Sequence, residues 1–273
     1  MPELSFQTSG FLPWIDLGFV RIQTYFVVTS LVLSALAFLI AWRARHLEFA
    51  IARALDLYIF AMIGGFLGPR LFHIMWEEPK YYLEAPSRLF DVLQGGFVWY
   101  GGFLGGLATT LVVLLRKRRD ADPRNSVTEL LSWLDFFAPI AAIGYGLGRM
   151  ACVLTGCCYG GVCHFHDHLF RFPTQGFAVV YELTIAGLLL QLESRRWPGG
   201  RKAGQLFFLW LVLHGIGRLI MELFRDDPRG PELAGLSVAS VVSLILIFVG
   251  LSRLRSVKWS GFFGNFGKTS HKS

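Results

Sequence analysis

The sequence predicts an all-α polytopic membrane protein with seven transmembrane helices, its N-terminus outside and its C-terminus in the cytoplasm. Three observations predict it. The 273 residues are 53% hydrophobic and only 16% charged, with a mean hydropathy of +0.49, which is too apolar for a soluble domain of this size. Apolar runs of about 20 residues, the length that crosses a bilayer, recur along the whole chain. Basic residues gather in alternate loops: Arg43, Arg45 and Arg53; Arg116 to Arg119 with Arg124; Arg195, Arg196, Arg201 and Lys202; Arg253, Arg255, Lys258, Lys268 and Lys272. The loops between hold few, and the positive-inside bias then sets the orientation. The formal charge of +7 therefore reports topology, and no nucleic acid partner is expected.

The spans follow in order. The first, near 18 to 42, is retained, because the preceding "MPELSFQTSGFLPW" lacks the basic start and cleavage site of a secretory signal. The second, 55 to 76, carries Gly64, Gly65 and Gly68 and then Arg70, and the third, 96 to 115, opens on "GGFVWYGGFLGG". The fourth, 130 to 153, ends on Gly144, Gly146, Gly148 and Arg149. The fifth, 176 to 192, is the weakest, because Glu182 interrupts it; the sixth, 203 to 224, holds His214, Gly215, Gly217 and Arg218, and the seventh spans 236 to 252. The whole of 1–273 reads as one transmembrane unit.

Arg70, Arg149 and Arg218 each stand four to six residues before the outer end of an outward-running helix, roughly 6 to 9 Å below the boundary. Any one of them can snorkel to the interface. Three in glycine-rich helices instead suggest a shared polar cavity, since intramembrane charge faces a bundle interior and glycine permits close packing. Several guanidinium groups at that depth suit an anion with several oxygens, and a phospholipid headgroup is the one present in a membrane. Glu222 and Arg225 fall on or near the helix face of Arg218, where Glu222 pairs with an arginine. His214, about ten residues below the outer end, is costly in lipid without a partner. Tyr25 and Tyr100 lie in the same outer layer, whereas Tyr81, Tyr82 and Trp99 read as interface belt residues.

Three segments read together, "GGFVWYGGFLGG" (95–106), "GRMACVLTGCCYG" (148–160) and "HGIGRLIMELFRDDP" (214–228), resemble the bacterial prolipoprotein diacylglyceryl transferases, in order and spacing, from about Tyr25 to Pro228. The resemblance implies a seven-span enzyme of the bacterial inner membrane with a periplasmic N-terminus. It would join the diacylglyceryl part of phosphatidylglycerol to the lipobox cysteine of a prolipoprotein, at its signal-peptide region, releasing glycerol phosphate without a cofactor or metal. Carried over by position, Arg149 matches the signature arginine that binds phosphatidylglycerol, and Gly156 and Gly160 match signature glycines. Arg218 matches the arginine of the family's Tyr-Gly-x-x-Arg, with Glu222 and Arg225 after it. Gly101 and Gly102 match the glycines of its His-Gly-Gly, Tyr25 the tyrosine opening the first span, and Arg70 the arginine of the second.

The departures are as informative. The family's histidine before Gly-Gly is Tyr100 here, and its tyrosine before Gly-x-x-Arg is His214, so the pair is exchanged. The base role then moves to His214, whose ordinary pKa of about 6.5 suits a thiol proton, and Tyr100 becomes a donor to phosphate. Cys152 and Thr155 replace two asparagines of the signature and Cys157 its glutamate, while Pro173, Thr174, Gln175, Tyr181 and Glu182 only approximate a further motif.

Cys152, Cys157, Cys158 and Cys163 precede His164, His166 and His168, but not at a standard zinc spacing, so no metal is expected. A disulfide of Cys163 with Cys157 or Cys158 suits an oxidising outer side. Cys152, one turn beyond Arg149, and Cys157 are candidates for a reactive thiol that accepts lipid. Two rivals to the transferase remain: a paralogue using the same lipid with another acceptor, and a non-enzymatic lipid or anion transporter. The transporter is disfavoured by the inner halves of the spans, which carry few ionisable groups beyond Asp56 and Asp135.

Overall fold

The computed structural model describes residues 12–18, 21–90, 99–116, 123–165, 168–194, 202–226 and 235–256. A short antiparallel ribbon, β1 (Trp14–Asp16) with β2 (Arg21–Gln23), leads into α1 (Thr24–His46), and α2 (Ile51–Phe72) continues through a π-helical turn at His73–Glu77. A small α3 (Pro79–Glu84) and a 3-10 turn (Pro86–Phe90) precede α4 (Trp99–Arg116) and α5 (Pro123–Thr155). The hairpin β3 (Val162–Phe165) and β4 (His168–Arg171) leads to α6 (Thr174–Ser194), α7 (Gln205–Phe224) and α8 (Val238–Ser256).

Among the described residues, six helices are long and apolar enough to cross a membrane: Thr24–His46, Ile51–Met75, Val127–Thr155, Thr174–Ser194, Gln205–Phe224 and Val238–Arg255. The third expected span, 96 to 115, falls on α4, whose apolar stretch Gly101–Leu114 is shorter; its first residues, 96–98, lie outside the described part. At 33 residues, α5 runs roughly 50 Å, well beyond the hydrocarbon thickness. Large apolar side chains such as Phe38, Leu223 and Phe248 face outward, as lipid permits and water would not.

Two apolar clusters organise the bundle, and α5 belongs to both. Ile40 of α1, Ala54 and Leu57 of α2 and Phe136 of α5 make one. Ala138 and Ala142 of α5, Ile185 and Leu189 of α6, Trp210 of α7 and Leu246 of α8 make the other. Glycine sets how closely neighbours approach: a Cβ at Gly215 would lie 2.9 Å from the Ser243 carbonyl oxygen of α8 and 2.8 Å from Ile247 Cγ1.

Each end of the bundle is fastened by polar groups. At one end Arg43 pairs with Glu193 at 2.7 Å, and Asp135 accepts the Gly204 and Phe207 amides at 2.9 Å each, capping α7. At the other, the end of α5, the start of α6 and the end of α7 meet. There Gly161 N donates to Phe224 O, Gly160 N to Phe172 O, and Leu12 N to Leu154 O. This second end holds the site.

Candidate functional site

Helical spacing puts Tyr145 and Arg149 of α5 on one face. The Arg149 Nη2 donates to Tyr145 Oη at 2.5 Å, and the guanidinium carbon lies 4.8 Å from that ring's centre. The Tyr145 ring also meets His214 of α7, edge-on at 4.7 Å between ring centres. His214 is 1% exposed, also contacts the Trp210 ring, and sets Nδ1 2.6 Å from Glu182 Oε1 of α6. An ionised carboxylate only accepts, so Nδ1 carries the hydrogen and Nε2 is the basic nitrogen of the ring. Glu182, itself 2% exposed, has no hydrogen-bond partner for Oε2 among the described residues. The imidazole thus compensates a buried carboxylate, and the two orient each other.

On the next turn of α7, Arg218 pairs with Glu222 at 2.5 Å, four residues on. Gly217 leaves room for the Tyr181 ring, whose hydroxyl donates to Leu213 O at 2.8 Å. Tyr145, Tyr181, Glu182, His214 and Arg218 line a pocket between α5, α6 and α7. Arg149, Arg218 and Arg225 bring three guanidinium groups to it, Glu182 and His214 line it too, and Ala178 and Met221 add apolar wall. Such a donor set can hold a phosphodiester, with a nitrogen base beside it.

The expected residues divide. Arg149, Arg218, Arg225 and His214 meet in the pocket, and Glu222 steadies Arg218. Arg70 does not join them: its Nη2 donates to Arg88 O at 2.8 Å and its guanidinium lies over the Tyr82 ring, so it fastens the segment after α2. Arg225, rather than Arg70, is the third arginine of the pocket. Gly101 and Gly102 sit in the α2–α4 seam, where a Cβ on Gly101 would reach the Gly68 backbone and lie 2.8 Å from Phe72 Cβ, and one on Gly102 3.2 Å from Pro69 Cγ. Gly156, at φ +71°, ends α5 with its amide on Cys152 O. Gly160 lies where a Cβ would meet the Phe172 and Phe224 carbonyls at 2.7 Å. These glycines serve close backbone approach. Tyr25 opens α1, 40% exposed, within electrostatic reach of Arg149 and Cys152, though outside the pocket lining. Tyr100 stands in the first turn of α4, and its side chain lies outside the described part, as do those of His164, His166 and His168.

The cysteines correct an expectation. All four are free, so Cys163 forms no disulfide with Cys157 or Cys158; its sulfur rests on Gly161 O, held there by the β3–β4 ladder. The sulfurs of Cys152, Cys157 and Cys158 converge instead, all within 4.8 Å of one another. Of these, Cys158 reaches the pocket lining. Its thiol is held well below the usual range, first by hydrogen bonds from Cys152 and Cys157 and then by the charges of Arg149 and Arg225.

Sequence reasoning did not pair Glu182 with His214 and passed over Tyr145. A signal for the pair exists: both are ionisable residues deep in apolar helices, and each needs a partner. Tyr145, one turn before Arg149, was within reach of the same helical-face argument.

Residues 14–255 match the family model for prolipoprotein diacylglyceryl transferase. A protein of Clostridium tetani named phosphatidylglycerol–prolipoprotein diacylglyceryl transferase is 29% identical over 85% of this chain and 91% of its own length. One of the same name from Nitrosomonas europaea is 31% identical over 73% of this chain and 71% of its own, and one from Aromatoleum aromaticum 30% identical over 80% and 81%. With a pocket of arginines beside an oriented histidine, and with that match across nearly all of its helices, the chain belongs to the prolipoprotein diacylglyceryl transferase family.

Proposed function

We propose that this protein transfers the diacylglyceryl group of phosphatidylglycerol to a prolipoprotein cysteine, in the pocket between α5, α6 and α7. The observation that carries this is the Glu182–His214 pair opening onto the same pocket as Arg149, Arg218 and Arg225. Phosphatidylglycerol enters from the bilayer and its phosphodiester lies against the guanidinium groups. His214 Nε2 takes the thiol proton, and Glu182 steadies the imidazolium that forms. The thiolate attacks the glyceryl carbon that bears the phosphate oxygen. The C–S bond forms as the C–O bond breaks, and the electron pair leaves on glycerol phosphate, whose growing charge the arginines stabilise. The proton then passes from His214 to the departing phosphate, so nothing is oxidised or reduced.

The pocket faces the periplasmic leaflet of the inner membrane. Support comes from the opposite end of the bundle, where α1 and α8 finish in Arg43, Arg45, Arg253 and Arg255. The acceptor is then presented as a signal-peptide region from the same side, and 1–273 act as one transmembrane unit. Tyr25, at the outer start of α1, stands where that segment arrives, and Tyr100 donates to the phosphate. The transporter reading loses Asp135, which is occupied in capping α7.

The test is to incubate purified protein with phosphatidylglycerol labelled in its acyl chains and a lipobox peptide. Labelled peptide bearing a thioether is the expected product. Glycerol phosphate released without labelled peptide overturns the acceptor and favours a paralogue with another one.

A further inference from the structure

We propose that Cys152, Cys157 and Cys158 form a thiolate site for Zn²⁺ whose open fourth position takes the acceptor cysteine; this rests on the transferase reading above. The three sulfurs lie within 4.8 Å of one another. Around one ion at about 2.3 Å each, tetrahedral or trigonal thiolates stand roughly 3.8 to 4.0 Å apart. Closing the group around an ion therefore takes shifts of under about 1 Å, which two residues on a loop can make.

The loop that carries them is built. Cys152 is 7% exposed in the last turns of α5, and its carbonyl accepts the amides of both Gly156 and Cys157. Gln175 Nε2 donates to Cys157 O at 2.6 Å and Thr174 Oγ1 to Cys158 O at 2.7 Å, so the start of α6 grips both loop cysteines by their backbone. Cys158 is held at φ +60°, in the left-handed region that residues other than glycine seldom adopt. These constraints turn two adjacent cysteines toward a third, which inert helix packing does not require. A disulfide would use two of the sulfurs and strand the third, whereas a soft metal uses all three.

Charge and position select the ion and its role. Three thiolates with Zn²⁺ carry one net negative charge, and Arg149 lies within electrostatic range of Cys152 and Cys158. Zinc bound by three protein ligands keeps a fourth corner for substrate. Cys158 lines the pocket that also holds His214 and the arginines, so that corner opens where the acceptor thiol must sit. A thiol entering it gives up its proton to His214 and becomes the bound thiolate. Its sulfur then attacks the glyceryl carbon, glycerol phosphate departs, and the neutral thioether, a weak ligand, leaves the metal.

The experiment uses the reduced full-length protein in detergent. Zn²⁺ is titrated against a chromophoric chelator, and Co²⁺ is substituted to read thiolate ligation by absorption. The expected results are one ion per chain, a thiolate-to-cobalt charge-transfer band, and a change of the cobalt spectrum on adding a lipobox peptide but not its Cys→Ser form. Cys152→Ser and Cys158→Ser should each weaken binding at least about 100-fold, while Cys163→Ser leaves it unchanged. Zinc binding no stronger than that of a Cys152→Ser/Cys157→Ser/Cys158→Ser variant overturns the site. A cobalt spectrum indifferent to the cysteine peptide overturns its role with the acceptor. The lipid-transfer assay reads the parent reaction separately: full transfer by metal-stripped protein sinks the zinc while keeping the transferase, and a loaded metal without any transfer does the reverse.

Discussion

The α2–α4 seam and the α5–α6–α7 pocket are written in the same residue types, an arginine among glycines near a helix end, yet the glycines face different things. In the seam, Gly64 and Gly68 of α2 meet Gly105 and Gly101 of α4 backbone to backbone, and the space is consumed by the approach of the two helices. Arg70 turns to the carbonyls of Arg88 and Leu89, after α3. In the pocket, Gly217 faces the Tyr181 ring and Gly148 faces open space. Helices kept apart by an aromatic ring leave a cavity, and the neighbouring Arg218 and Arg149 turn into it. What a glycine removes matters less than what stands opposite.

The comparison breaks most directly at the base. Replacing His214 by alanine is expected to lower the rate of peptide lipidation by about 10² to 10⁴-fold, and Glu182→Gln, which keeps the shape and loses the charge, by a smaller factor. Retention of rate by His214→Ala within about tenfold would remove the dyad from the reaction. Next come the arginines. Arg149→Ala should cost about 10² to 10³-fold by removing a donor to the developing phosphate charge. Arg70→Ala should cost less than about tenfold in rate, and instead lower stability by about 1.5 to 3 kcal/mol through its hydrogen bond to Arg88 O. Turnover and thermal unfolding in detergent, measured on both variants, separate the two arginines. Equal losses of rate would return Arg70 to the site.

This division marks how much the sequence makes legible. Apolar run length is a local property, so the spans read directly, including α6 despite Glu182. Depth is local as well, and it suggests one layer for Arg70, Arg149 and Arg218, of which Arg149 and Arg218 line the same pocket. Direction around the helix axis is not local: Arg70 and Arg149 have the same depth and composition, and only the partner helix decides which faces the cavity. The Glu182–His214 pair spans 32 positions, and no spacing rule links two helices across that interval. The sulfur cluster was hidden for another reason. Gly156 and Cys158 at positive φ fold the chain back after α5, bringing together cysteines whose order matches no standard motif, while Cys163 is drawn off by its strand.

The seam itself yields a smaller effect. Gly101→Ala forces a methyl group against the Gly68 backbone and within 2.8 Å of Phe72 Cβ, where the obstacle is a neighbouring helix that cannot turn aside. Overpacking of this kind costs about 1 to 3 kcal/mol. A lowered unfolding temperature with unchanged rate per folded molecule is the expected result. A lost rate with unchanged stability would instead put Gly101 against the lipid.

The smallest effect tests the other half of the comparison. Gly148 precedes Arg149 in α5, and a Cβ built there meets nothing within 4 Å, so Gly148→Ala adds a methyl group to open space. Glycine inside a helix costs about 0.5 to 1 kcal/mol relative to alanine, and the substitution should raise stability by an amount of that order. Because the neighbouring Arg149 is held by Tyr145 on its own helix, the methyl group leaves its aim unchanged and lipidation should proceed at the parent rate. A destabilised variant would mean that α5 is met at Gly148 as α4 is met at Gly101, and the distinction between seam and pocket would fail at the residue beside its most important arginine. Thermal unfolding and a single lipidation rate on this one variant therefore bear on the cause of the pocket as well as on its contents.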